Sequence, residues 1–440
     1  MANTYLTRSK SSPTSDKKGT ISFWIKRTNL TNQQATFVSG GGSIDSNIFF
    51  ENDGTLQVYD YQSGAYQFRY VTNRVFRDSS AWYHIVVRID TTDSTAGDRV
   101  KIYVIGVQET SFSVETDPSQ NLTPLFFTNA YAFWIGAYRG SSGYTDGLYT
   151  HFHYTDGYAY DASTFGESDS VSGIWKPKTA PSVTYGTNGF FLKFENSANM
   201  DLDSSPNNHT FTTGGTITQT QDTPSNNFAT LNPLHKGDTL TGFTFANGNN
   251  TITFGSTTYP YTFSTQAVSS GKWYAEFKVT ANPNDVSIGI SNGEKSPYLS
   301  HSQYDYAYVG SNGNVQSNQS GSSYGSALST NDILGVAMDL DNNRLFFSKN
   351  GTWQNSADPT SSTGAYTITA PSSTTNGVYH FAVGDFNSAA SSVQCNFGNG
   401  KFGTSSVASS NSDSAGLGLF EYSVPSGYYS LCTKNIKNYG

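Results

Sequence analysis

The chain has 440 residues, too long for one ordinary sandwich domain and long enough for two domains that each bury a core. Charged residues make up 13% and aromatics 15%, with 42 glycines, a mix of strand and turn formers that predicts an almost entirely β protein. A formal charge of −8 without a Lys/Arg cluster predicts no nucleic-acid partner, because phosphate binding needs concentrated basic charge.

No apolar run approaches the roughly 20 residues that span a bilayer, so no membrane insertion is expected. The start, Met1 to Arg8, lacks the apolar core of a signal peptide, which predicts a chain made and kept in a cytosol or released by lysis. Cys395 and Cys432 are too few to staple a protein of this size and form no close metal-type pair, so free thiols are expected.

In chain order, residues 18–28 alternate so that Ile21, Phe23 and Ile25 share one face, the pattern of a half-buried strand. Asn52-Asp53-Gly54 supplies the positive φ of a tight hairpin between two antiparallel strands. Tyr83, Ile85, Val87 and Ile89 form one face of a further strand, and Val100, Ile102 and Val104 one face of the next, both central over a first core. Residues 130–157 read as two more strands around a Gly/Ser loop. In the second half, Leu334, Val336, Met338 and Leu340 alternate with Ile333, Gly335, Ala337 and Asp339, and Asp341-Asn342-Asn343 turns the chain into Arg344–Lys349, a hairpin facing a sandwich core.

The order of Phe23-Trp24, Trp82-Tyr83-His84, Asp98–Tyr103, Trp134-Ile135-Gly136, Asp146-Gly147 and Asp161–Gly166 resembles the laminin-G or concanavalin A-like lectin fold found in phage particles, over roughly residues 1 to 235. Ser270–Val279, Ser287–Ile290, Asp332–Trp353 and Val393–Gly398 resemble the SPRY (B30.2-like) sandwich. The run Asp222–Leu234 is similar to the segment joining two sandwich modules in structural proteins of tailed marine bacteriophages. Pro425–Asn435 resembles the closing segment of such proteins, which places Cys432 in a final strand.

These resemblances imply an all-β protein with two antiparallel β-sandwich (jelly-roll) domains in tandem, at residues 1–221 and 239–440, with a linker at 222–238. They also imply a virion structural protein, a tail-fibre, head-fibre or appendage component, with non-catalytic recognition of a host cell-surface glycan; the alternative is a decoration or cement protein. The implied partners are other virion proteins and a host surface glycan, in a homo-oligomer or multicopy assembly, and the implied location is the virion, assembled in the host cytoplasm. No heptad, collagen-like or β-helix repeat is present, so a compact knob or plate is expected rather than a shaft.

Glucanases on related folds need two carboxylates about 5 to 9.5 Å apart across the sugar. The candidate pairs Glu51/Asp53, Glu115/Asp117, Asp201/Asp203 and Asp339/Asp341 fall in turns or loop-like stretches, so no catalytic residue is assigned and a polysaccharide hydrolase is disfavoured. Gly321–Gly325 matches Gly-x-Ser-x-Gly, but no helix is expected to follow, and that motif works only at a strand-to-helix turn. His151 and His153 should project from one face of a strand, either as a metal pair or as covered surface residues, and the latter is favoured. No cofactor is called for; calcium has Asp60, Asp146 and Asp156 available, but Asp-Gly here is accounted for by turn geometry.

Aromatic and amide side chains are dense in predicted loops: Tyr59, Tyr61, Tyr66, Tyr138 and Tyr144 in the first domain, and Tyr298, Tyr304, Tyr306, Tyr308 and Tyr324 in the second. Sugars stack their C–H faces on such rings while amides and hydroxyls satisfy their OH groups, and the same composition suits protein recognition. Tyr138, Tyr144, Tyr304, Tyr306 and Tyr308 are the ligand-binding candidates.

Overall fold

The computed structural model describes residues 3–170, 173–235, 242–255, 259–386 and 390–440. The chain divides into two compact units, Met1–Gln219 and Thr220–Gly440. Both are antiparallel β structures, and the one α-helix among the described residues is α1 (Thr433–Tyr439) near the C-terminus. No helix among the described residues is long and apolar enough to cross a membrane.

The first unit contains β1 (Tyr5–Arg8), β2 (Lys18–Arg27), β3 (Gln34–Gly41), β4 (Ile44–Phe50), β5 (Thr55–Gln62), β6 (Ala65–Val75), β7 (Trp82–Asp90), β8 (Val100–Val104), β9 (Val107–Gln108), β10 (Phe112–Thr116), β11 (Phe133–Ile135), β12 (Gly147–Asp156), β13 (Gly166–Ser168), β14 (Trp175–Pro177), β15 (Phe190–Leu192) and β16 (Thr212–Gly214). Eight of these form one sheet in the order β10-β6-β5-β4-β3-β11-β1-β16, and six form a second, β15-β12-β2-β7-β8-β9. The inward sets Ile21/Phe23/Ile25, Ile85/Val87/Ile89 and Val100/Ile102/Val104 meet Phe37, Ile48, Phe50, Leu56, Val58 and Phe133 in one core, as their period-2 spacing requires. The β4–β5 hairpin turns at Gly54, whose φ of 88° only glycine takes without penalty.

Residues 18–28 depart from the expected half-buried strand, because nine of the ten residues of β2 are buried. The outward face of the six-stranded sheet is covered by residues 158–170 and 173–185, with Trp175 and Phe165 packed with Val86 and Ala162. Trp24 stacks on His84 beneath this cover at 4.7 Å.

The second unit contains β17 (Phe243–Ala246), β18 (Thr251–Phe254), β19 (Tyr261–Phe263), β20 (Lys272–Ala281), β21 (Val286–Ser291), β22 (Tyr306–Val309), β23 (Asn314–Ser317), β24 (Ser320–Ser323), β25 (Ile333–Asp339), β26 (Arg344–Lys349), β27 (Thr352–Trp353), β28 (Tyr366–Thr367), β29 (His380–Asp385) and β30 (Ser392–Asn396). One sheet runs β17-β18-β30-β20-β25-β26-β27 and the other β19-β29-β21-β22-β23-β24. Leu334, Val336, Met338 and Leu340 enter the core with Trp273, Phe277, Tyr308 and Phe381, while Ala337 on the opposite face packs with Tyr274, Phe346, Phe420 and Tyr428.

Residues 222–235 do not form a linker. Ala229 and Leu231 are fully buried in the second core, the Ala229 N–H donates to Leu431 O at 2.9 Å, and Asn232 N–H donates to Phe263 O at 2.9 Å. The turn-forming Pro, Ser and Asn around this run hide its apolar alternation in the sequence. Residues 236–238 of the expected linker lie outside the described residues. Both thiols are free and buried. Cys432 follows the last strand, Tyr429–Ser430, and precedes α1 rather than lying within a strand.

The chain just ahead of the closing segment is fastened by the buried Glu276 side chain. The Glu276 carboxylate accepts the N–H groups of Glu421 at 2.8 Å and Tyr422 at 2.9 Å and the Tyr274 hydroxyl at 3.2 Å. Replacing Glu276 with Ala leaves these buried donors unpaired and is expected to destabilise the second unit by about 2–4 kcal/mol, read as a lower urea midpoint. An unchanged midpoint would show that Glu276 does not fasten this stretch of chain.

Candidate functional site

Along β4 and β5 of the eight-stranded sheet, Ile48, Phe50, Leu56 and Val58 point into the core, so Asn47, Phe49, Gln57, Tyr59 and Tyr61 point outward. The neighbouring strands add Val38 and Ala35 from β3, Trp134 from β11, opposite Val38 in register, and Arg69 and Tyr66 from β6. Residues 138–145 fold against this face, placing Tyr138 against a small apolar cluster of Ala35, Val38 and Phe49.

The result is a run of rings meeting edge to face. Phe49 and Tyr59 are 5.7 Å apart, Tyr59 and Tyr66 5.4 Å, and Tyr61 and Tyr66 5.1 Å. Tyr66 is 44% exposed, an unusual placement for a ring with other rings beside it. Two guanidiniums lie over rings, Arg69 4.7 Å above Tyr66 and Arg139 4.9 Å above Tyr138.

Polar groups on this face are held in fixed orientations. The Tyr59 hydroxyl donates to Asp45 Oδ2 at 2.7 Å, and Arg139 Nη2 lies 3.8 Å from Asp45 Oδ1. Burial raises the Asp45 pKa above the usual carboxylate value against the pull of Tyr59 and Arg139. Gln57 donates to Glu51 at 2.9 Å and accepts from Arg69 Nε. These bonds fix the side chains beside the rings in single orientations.

Of the sequence candidates, Tyr138 and Tyr144 belong to the 138–145 segment, where the Tyr144 hydroxyl donates to Gly140 O at 2.8 Å. Tyr59, Tyr61 and Tyr66 lie on strands rather than loops. Tyr306 and Tyr308 are not loop residues either. They sit on β22, 6% and 0% exposed, inside the second core, because Tyr306 and Tyr308 share the inward face of a period-2 strand. Tyr304 is half-buried just before that strand, and Tyr324 is buried against Phe347. The structure therefore takes Tyr306, Tyr308 and Tyr324 away from the surface, while Tyr298 and Tyr304 stay half-buried.

The other candidates are engaged internally. Asp53 caps Thr55 in the β4–β5 turn, Asp117 accepts the Tyr70 hydroxyl, Asp203 accepts three backbone N–H groups, and Asp339 pairs with Lys272 at 3.1 Å. Asp60 accepts Leu125 N–H, Asp156 accepts the N–H groups of Thr14, Ser15 and Asn188, and Asp146 accepts from Asn29. Gly321–Ser323 lies on the exposed strand β24. A bulge between Thr150 and His153 breaks the alternation of β12, and both imidazoles pack on Phe191, at 5.7 and 3.8 Å, instead of converging on a ligand. Among the described residues no group of three His, Cys, Asp or Glu is placed to hold a metal ion.

One Ser–His contact was not foreseen, Ser22 Oγ to His84 Nε2 at 3.0 Å. Trp175 Nε1 donates to His84 Nδ1 at 2.9 Å, so the neutral ring carries its proton on Nε2 and donates to Ser22. This is the reverse of a general base, and both residues are fully buried. An open cleft of about 310 Å³ lined by Pro13, Thr14, Ser15, Asp16, Thr128 and Asn129 has no aromatic platform.

Residues 2–157 match the concanavalin A-like lectin/glucanases superfamily, and residues 272–398 match the SPRY domain. The chain thus carries a concanavalin A-like domain and a SPRY domain in tandem, two β-sandwich types that fit carbohydrate or protein recognition. Among solved structures the chain is similar to the SPRY domain of human HERC1 at 17% identity, covering 38% of this chain and 96% of that one with a TM-score of 0.30. It is also similar to a human SPRY domain at 15% identity, covering 35% and 94% with a TM-score of 0.27. Stonustoxin is similar at 17% identity over 38% of this chain and 27% of its own, with a TM-score of 0.29. No curated protein matches the chain.

Proposed function

We propose that this is a non-catalytic recognition protein of a phage particle, a tail-fibre, head-fibre or appendage component, and that its concanavalin A-like domain takes a host cell-surface glycan on the tyrosine face. The observation that carries the proposal is the outward run Phe49–Tyr59–Tyr66–Tyr61, with an exposed central ring and fixed amide and guanidinium donors beside it. In each candidate carboxylate pair at least one member is held in internal bonds, as Asp53, Asp117, Asp203 and Asp339 are, which supports a binding rather than a hydrolytic role. The phage setting rests on the resemblance of Asp222–Leu234 and Pro425–Asn435 to segments of phage structural proteins.

In this reading the partners are other virion proteins and a host surface glycan, in a homo-oligomeric or multicopy assembly, with neither nucleic acid nor membrane insertion involved. Weak single sites suffice, because many copies multiply avidity without new contacts. Tyr66→Ala is expected to weaken binding of a host glycan about three- to tenfold, the worth of one aromatic platform, with an unchanged melting temperature. Equal affinity of Tyr66→Ala and the parent protein for the same glycan would exclude this face.

A decoration or cement role is the second reading, favoured by the internal pairing of polar groups on the face, as in the Tyr59 hydroxyl held by Asp45. Immunogold label over the head, together with no binding to any host polysaccharide, would favour it over receptor recognition.

A further inference from the structure

Several buried ionisable groups in this protein can shed their charge. Lys10, His84, His153, Glu276 and Asp305 are each pushed by burial toward the neutral form. Arg27 cannot, because a guanidinium stays protonated at neutral pH even where burial lowers it to about 10. Its side chain is fully buried at the end of β2, between the two sheets of the first domain.

Arg27 is also poorly matched for a buried cation. Its Cζ lies 4.5 Å over the Phe50 ring, and Nη1 donates to Phe76 O at 2.8 Å. Nε and Nη2 are buried and have no hydrogen-bond partner. The groups close enough to act on its charge are the phenols of Tyr83 and Tyr149, not a carboxylate. The Tyr149 hydroxyl donates to Thr145 Oγ1 at 2.9 Å, and the Tyr83 hydroxyl accepts Asp78 N–H at 3.2 Å. An uncompensated buried charge costs several kcal/mol, and two unpaired donors add to that.

Nε and Nη2 form the edge of the guanidinium that grips an anion with two parallel N–H groups. Arg8 and Arg139 also have an unpaired nitrogen, but each faces a carboxylate, Asp203 and Asp45 respectively. Among the described residues Arg27 alone combines full burial, a free bidentate edge and no acidic neighbour.

We propose that the Nε–Nη2 edge of Arg27 is an internal anion site of the first domain, which holds one small monovalent anion of the chloride type between the two sheets. The anion supplies the missing counter-charge and accepts both free N–H groups, so its binding is coupled to the stability of this sandwich. The site lies on the core side of the sheet and is independent of glycan binding on the outer tyrosine face.

The test exchanges the protein into sodium gluconate and titrates bromide at constant ionic strength, following thermal unfolding, with crystals grown in bromide measured at the bromine edge. A saturable rise in the first-domain melting temperature is expected, together with an anomalous peak within hydrogen-bond distance of Arg27 Nε and Nη2. Arg27→Met keeps the stem and removes the anion-binding edge, so its melting temperature should no longer respond to bromide. An equal response in Arg27→Met, or an ordered water alone at the Nε–Nη2 edge with no anomalous signal, would overturn the proposal. If Arg27→Met does not fold, the anomalous map of the parent protein decides the question.

Discussion

Tyr308→Ala is expected to destabilise the second domain by about 3–5 kcal/mol, enough to unfold it under mild conditions. The ring is fully buried, 5.4 Å from Phe347, and its hydroxyl donates to Ser326 O at 2.5 Å. Truncation therefore leaves a cavity between the sheets and an unpaired carbonyl. Tyr308→Phe keeps the ring and loses only the hydrogen bond, an expected loss of about 0.5–1.5 kcal/mol. Tyr306→Ala should resemble Tyr308→Ala, because the Tyr306 hydroxyl both contacts Thr369 Oγ1 at 3.0 Å and accepts Thr369 N–H at 2.9 Å. Tyr304→Ala, at a half-buried position, should cost far less. Urea unfolding followed by the fluorescence of the core residue Trp273 separates these outcomes, and a Tyr308→Ala midpoint equal to that of the parent would place the ring outside the core.

This result reverses what the sequence suggests for the same residues, where Tyr306 and Tyr308 read as loop rings available to a ligand. Tyrosine is apolar along its ring and polar at its tip, so Tyr306-Ala-Tyr308 gives no clear hydrophobic period, and the Ser/Gln/His-rich stretch before it resembles a loop. Where inward residues are aliphatic the period is plain, as in Leu334/Val336/Met338/Leu340, and the strand and its core face follow directly. The tyrosine face was partly legible. Its rings stood out by composition, but the alternation of β5 is broken by Asp60, which points inward.

Asp60 is inward because it belongs to a buried polar network assembled from distant segments. It accepts Leu125 N–H at 2.8 Å and the Ser46 hydroxyl, while Lys10 Nζ donates to Ser39 Oγ at 2.6 Å and to the carbonyls of Leu125 and Phe126 at 2.8 and 2.9 Å. Contacts of such sequence separation leave no local signature. The same holds for the cover over the six-stranded sheet, whose Phe165 and Trp175 pack on His153 and His84 from far along the chain.

That enclosure sets the acid sensitivity of the first domain. Burial holds His84 at about 3 and His151 at about 4 and also holds His153 well below the ordinary histidine value, with neighbouring imidazoles and Lys193 adding to the effect. With folded values below the unfolded 6.5, all three are neutral in both states above pH 6.5, and stability is complete there. Below 6.5 the unfolded chain takes up protons that the folded chain refuses, so stability is lost progressively down to about pH 3 to 4. Each imidazole contributes a loss of about 1–2 kcal/mol between pH 7 and 5. Asp45 and Asp60, raised by burial, act in the opposite sense within the same domain. In the second domain Glu276 and Asp305, raised to about 7, hold protons that the unfolded chain releases, so falling pH favours that fold and offsets the depressed His235 and His380. Acidification from pH 7.5 to 5 should therefore lower the melting transition of the first domain well before that of the second, with the two assigned by peptides released in pulsed proteolysis. His153→Phe, which keeps the stacking on Phe191, should flatten the pH dependence of the first transition. Parallel movement of both transitions with pH, unchanged by that substitution, would show that the buried imidazoles do not govern the acid response.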